Sequence, residues 1–266
     1  MTLIEHLGEL RSRIIKVGIA FVAVSIVAWF FREQIYEWLL RPSGNSLGDR
    51  LVVTAVTEQL ITDLKLSLYV AFVLTIPIIL YQIWAFVAPA VGDMGQAFTY
   101  TLITLASSLF LGGVLFGYYV VLPIGMNFLL NWAPERFELM ITSNYYLSFV
   151  TRFLLAFGIV FEFPAATYVG AKLELVDAPL LTKYRKHAIV LNTVLAAALT
   201  PGQDPFSMVL MAVPMIVMYE VSIIIARYVN PVSEVVVHER DPDSGDFEEL
   251  EEPEPGRNGH EDPDER

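Results

Sequence analysis

Cysteine is absent from the 266 residues, so no disulfide framework can staple this fold. Charge is scarce as well: Asp, Glu, Lys and Arg make up 17% of the chain, against about 25% in a soluble domain. Bases are few, 17 Lys and Arg against 29 Asp and Glu, which excludes nucleic-acid binding through a basic surface. The four histidines, His6, His187, His238 and His260, show no zinc spacing such as H-E-x-x-H. No G-x-S-x-G elbow or phosphate-cradling glycine loop occurs either. These absences argue against an enzyme and leave no metal or cofactor to expect.

Apolar residues are abundant: 55% of the chain is hydrophobic, and the mean hydropathy is +0.54. The net charge of −12 is concentrated in one place. From Glu239 to Arg266, thirteen acids stand against three arginines, a local net of −10, which leaves −2 for residues 1–238. The segment 229–266 therefore reads as a solvated, disordered acidic tail. The nearly neutral, apolar remainder reads as a membrane domain.

Crossing a hydrocarbon core of about 30 Å takes about 20 apolar residues in a helix. Six stretches qualify or come near: Ile14–Phe31, Leu64–Phe86, Phe98–Leu122, Tyr146–Ala171, His187–Leu199 and Phe206–Ala226. They are apolar all round, whereas barrel strands would alternate in segments of about 10 residues. The fold class expected is all-α, with six transmembrane helices across residues 14–228. Ahead of them, Leu3, Leu7, Leu10 and Ile14 recur at helical spacing and predict a separate amphipathic helix over residues 1–13, lying in the interface. Acidic flanks and the lack of an A-x-A site exclude a cleaved signal peptide.

With both termini inside, inner segments hold Arg11, Arg13, Lys16, Lys172, Lys183, Arg185, Lys186 and Arg227, and outer loops hold Arg32, Arg41, Arg50 and Arg136. That bias favours an N-in, C-in topology. The outer loops carry Ile35, Trp38 and Leu39, then Met126, Leu129, Leu130 and Trp132. These predict short helices resting on the outer surface. The fifth span is short: thirteen residues cover about 20 Å. Either Lys183–Lys186 anchor it or the bilayer thins around it.

A charge at a helix centre costs about 2.5–3.5 kcal/mol on insertion scales. Glu162 accepts that cost near the midplane, and Pro164 behind it opens the helix. Its carboxyl suits a proton site or a partner contact, or a bond to a neighbouring helix. Glu220 lies near the inner end of the last span, where a carboxyl costs less. Lys16, Lys65 and Arg152 are close enough to span ends to snorkel. Glu9 taken alone reads as a surface ion pair with Arg13, four residues on.

Four motifs narrow these readings. HLGELRSR (His6–Arg13), PIILYQIWAFVAPA (Pro77–Ala90), FGIVFEFP (Phe157–Pro164) and LTPGQDPFS (Leu199–Ser207) occur in order. In sequence and spacing they resemble the TatC family, the multispanning receptor subunits of the twin-arginine protein translocase, over about residues 4–228. The resemblance implies a plasma-membrane protein that binds the paired arginines of signal peptides at its cytoplasmic face. It implies assembly with single-span TatA- and TatB-type subunits, self-association, and export of folded cargo on the proton-motive force.

Residue by residue, Glu9 matches the family's tip glutamate, with Leu10 and Arg11 in the same motif. Phe86 matches an aromatic at the inner end of the second span. Glu162 matches the membrane glutamate, and Pro42 a sensitive proline of the first outer loop. Thr200 falls at a hairpin position tied to partner contact, and Glu220 is grouped with the partner contacts. The first inner loop departs from the family pattern: it reads AVGDMGQAF, with Gly95 where an acid is usual and Asp93 two residues earlier as the substitute. A proton-coupled secondary transporter using Glu162 is the alternative. It predicts broken helices in inverted repeats, and the sequence has no internal repeat.

Overall fold

The computed structural model describes residues 3–46, 51–91, 96–132, 140–200 and 204–229. Long apolar runs become helices because only a helix satisfies each backbone N–H and C=O within one segment in hydrocarbon. In chain order these are α1 (Leu3–Phe30), α2 (Arg32–Leu40), α3 (Glu58–Val91), α4 (Gln96–Phe116), α5 (Leu122–Asn131), α6 (Ser143–Phe161), α7 (Phe163–Lys172), α8 (Ala178–Lys183), α9 (Arg185–Leu199) and α10 (Pro205–Val229). Two short strands, β1 (Leu51–Val52) and β2 (Ile141–Thr142), pair in parallel, Leu51 opposite Ile141. Among the described residues, five helical stretches are long and apolar enough to cross a membrane: Gly8–Phe30, Glu58–Phe86, Thr99–Asn131, Ser143–Lys172 and Pro205–Val229.

Most of the packing joins long helices side by side. α1 lies along α3, and α4 along α6. Two glycines allow the second pair to approach closely. A Cβ on Gly113 would lie 2.5 Å from the Phe157 carbonyl oxygen, and one on Gly158 would lie 2.7 Å from the Phe110 ring. Phe110, Tyr146 and Phe157 fill the centre, fully buried. α10 closes the bundle against α7 and α9. α1 leaves Ile15, Ile19, Val22 and Ile26 exposed, an apolar face suited to lipid.

The end of the bundle opposite the N terminus carries a cap built by α2 and the 3-10 turn Arg41–Ser46. Tyrosine hydroxyls fasten it: Tyr118 donates to the Trp38 carbonyl at 2.6 Å, and Tyr146 to the Leu39 carbonyl at 2.9 Å. Tyr36 and Ser143 share a hydrogen bond of 2.7 Å. Glu58 starts α3 by accepting from the Thr54 and Ala55 backbone N–H groups at 2.6 and 3.2 Å. Its Oε2 also accepts from the Thr54 hydroxyl at 2.7 Å.

The structure departs from the expected segmentation in two places. The amphipathic start is not a separate helix, because α1 runs unbroken from Leu3 to Phe30. A continuous helix keeps the backbone bonds that a turn at residue 13 would break. The apolar stretch after residue 122 does not rest on the surface. α5 continues α4 through a π-helical turn at Gly117–Val121, with Met126 and Leu130 buried. That turn ends two residues before Pro123, which lacks the N–H an α-helix needs there. The fifth stretch is short, as its length in the sequence implies: it lies in α9, whose 15 residues cover about 22 Å, less than the other five reach. The acidic tail lies outside the described residues.

Candidate functional site

At the end of the bundle that carries the N terminus, one arginine holds three acceptors. Arg13 donates through Nε to Glu9 Oε1 at 3.1 Å, and its Nη2 donates to the same oxygen. Nη1 reaches Gln82 Oε1 at 3.2 Å, and Nη2 also reaches the Ala85 carbonyl at 2.8 Å. The Arg13 and Glu9 side chains are 18% and 26% exposed. The pair expected on a solvated face is therefore half-buried against α3. Helical spacing explains the Glu9–Arg13 contact. The packing of α1 on α3 supplies the other two acceptors.

Phe86 follows Ala85 directly and is half-buried, so this bracket brings the Glu9 tip to the Phe86 end of α3. Leu10 and Arg11 lie beside Glu9 and are exposed. Asp93 lies outside the described residues. Sequence reasoning missed Arg13 as an anchor and missed Gln82 altogether. They sit 69 positions apart, and nothing in either segment marks the contact.

Glu162 occupies a single turn between α6 and α7, where the Glu162 N–H bonds to the Ile159 carbonyl at 3.1 Å. Pro164 opens α7, as its missing N–H requires. Glu162 Oε1 is buried and has no hydrogen-bond partner among the described residues. No described bond joins it to Glu9, Thr200 or Glu220. A polar atom left this way in an apolar surrounding is costly.

The remaining three residues are dispersed. Pro42 is half-buried in the turn after α2, which packs on α5. Thr200 is buried at the end of α9, its hydroxyl donating to the Ala197 carbonyl at 3.3 Å. Next in the hairpin, Asp204 caps α10 by accepting from the Ser207 N–H at 2.7 Å. Glu220 pairs with Arg185 at 2.5 Å, and its neighbour Tyr219 donates to the Leu181 carbonyl at 2.8 Å. Among the described residues, no cluster of His, Asp and Glu could hold a metal ion.

Comparison with known proteins decides the family. Residues 5–214 match the family described as Sec-independent protein translocase protein (TatC). The chain belongs to the TatC family. It is 42% identical over 231 residues to the Sec-independent protein translocase protein TatC of Carboxydothermus hydrogenoformans, covering 87% of this chain and 95% of the relative. Against the Escherichia coli K12 protein of the same name, identity is 35% over 228 residues, covering 85% and 88%. A crystal structure titled as the twin arginine translocase receptor TatC superposes with a TM-score of 0.77 at 35% identity, covering 84% of this chain and 99% of that one. The TatC fold, helical and membrane-spanning, is thus common to both.

Proposed function

We propose that this chain is the receptor subunit of a twin-arginine protein translocase. It resides in the plasma membrane and crosses it six times, α9 making the short crossing, with both termini cytoplasmic. The Lys and Arg bias supports that orientation. In it, the Glu9–Arg13 bracket faces the compartment from which cargo arrives.

The observation that carries the reading is the Glu9 carboxylate, fixed at the bundle end beside α3. A guanidinium is a planar fork for which a carboxylate is the natural partner, and a signal with paired arginines presents two. Leu10 and Arg11, which follow Glu9, and Phe86, which follows Ala85, belong to the same site in this reading, and Asp93 is the substitute for the family's second acid. Glu162, Pro42, Thr200 and Glu220 serve contacts with single-span partner subunits or the transiting signal, within an assembly of several copies. Folded cargo is exported on the proton-motive force.

The test is binding of a twin-arginine signal peptide to membranes containing the chain. Glu9→Gln abolishes binding while the protein stays inserted, because the carboxylate sits at the membrane's edge. Asp93→Asn weakens it less. Equal, severe losses show instead that Asp93 has taken over the family's loop position, and normal binding by Glu9→Gln removes the proposal.

A further inference from the structure

Arg13 spends its guanidinium in an uneven way. Nε and Nη2 both converge on Oε1 of Glu9, while among the described residues Oε2 accepts no hydrogen bond. The remaining donors go to α3, to Gln82 Oε1 and to the Ala85 carbonyl. The Glu9 carboxylate is thereby held in one rotamer by a residue that is itself tied to a second helix.

We infer that Arg13 is the positioning residue of the signal site, and that Gln82 is the residue that positions Arg13. This rests on the reading of Glu9 as the acceptor of signal arginines. The bracket fixes Glu9 before the peptide arrives, so no rotamer freedom is lost on binding, and it leaves Oε2 for the incoming guanidinium. It also excludes a geometry in which one signal arginine takes both oxygens. Lysine at position 13 keeps the charge but is a point donor on a flexible stem, and it cannot span Oε1, Gln82 and Ala85 together. Leucine at position 82 keeps the bulk and removes the acceptor.

The alternative for the same contacts is competition: Arg13 occupies the carboxylate and must be displaced by the signal. Positioning and competition predict opposite signs. The experiment measures binding of two synthetic signal peptides, one with paired arginines and one with paired lysines. Membrane vesicles carry the full chain with its partner subunits at matched levels.

Arg13→Lys and Gln82→Leu are each expected to weaken the arginine peptide about tenfold, the scale of one charge-assisted hydrogen bond. The lysine peptide changes much less, so the preference for arginine falls. The double variant is expected to be no weaker than the worse single one, because both break the same bracket. Unchanged binding by both variants, tighter binding by either, or equal loss for both peptides overturns the inference. Glu9→Gln run alongside separates the two levels. If it abolishes binding while the bracket variants bind normally, only the role of Arg13 fails. If it binds normally, the reading of Glu9 fails first.

Discussion

The Tyr118 hydroxyl donates to the Trp38 carbonyl at 2.6 Å, and the two rings stack with centroids 3.9 Å apart. The pair joins the cap to the π-helical turn, so the cap is part of the packed body and not a tether. Tyr118→Phe keeps the stack and loses the bond, an expected cost of about 1 kcal/mol. Tyr118→Ala also removes the ring and is expected to cost about 3–5 kcal/mol. Thermal unfolding in lipid nanodiscs reads both. Equal shifts for Phe and Ala would mean that the ring contributes little.

Glu220 and Arg185 form a pair whose side chains are 38% and 44% exposed. Exposed pairs contribute about 0.2–1 kcal/mol. Glu220→Gln is expected to move the unfolding temperature little. If export also stays near the parent level, the carboxylate is an ordinary ion-pair member. A large export loss at unchanged stability assigns it a direct contact with a partner.

Glu162, with a buried oxygen that has no partner among the described residues, is expected to work as a polar contact and not as an obligatory proton carrier. Glutamine offers hydrogen bonds of the same reach and does not titrate. Glu162→Gln should retain most export of a twin-arginine cargo, and Glu162→Ala should lose more. A proton carrier gives another order, with Gln as inactive as Ala at matched membrane levels.

The tail is expected to be dispensable. Its acids, prolines and glycines cannot bury a core, and the family match ends at residue 214. Truncation after Val237 should leave export intact. Lost export at normal membrane levels would give the tail a role.

Much of this architecture could be read from the residues, because transmembrane segments announce themselves by length and apolarity. The break at Glu162 was legible for the same local reason, a proline two residues on. What could not be read depends on contacts distant in sequence. Tyr146 meets Leu39 across 107 positions, and Arg13 meets Gln82 across 69. A polar side chain in an apolar run says that it needs a partner, but it does not name one. The continuity of α1 and of α4 into α5 was missed for a different reason. Amphipathic flanks and a proline mark possible boundaries, and neighbouring helices decide whether the chain turns there.

The central claim is that signal arginines dock beside Glu9. Gly8 allows a direct test, since a Cβ there meets nothing within 4 Å and an enlarged residue fits without disturbing α1. A photo-crosslinking residue is placed at position 8 and, as a control, at the exposed Val56 of the opposite end. A labelled cargo precursor with paired signal arginines is then added to sealed vesicles. The account predicts an adduct from position 8 and none from position 56, lost when the two arginines are replaced by alanine. An adduct from position 56 alone, or one from position 8 that ignores the arginines, would contradict it.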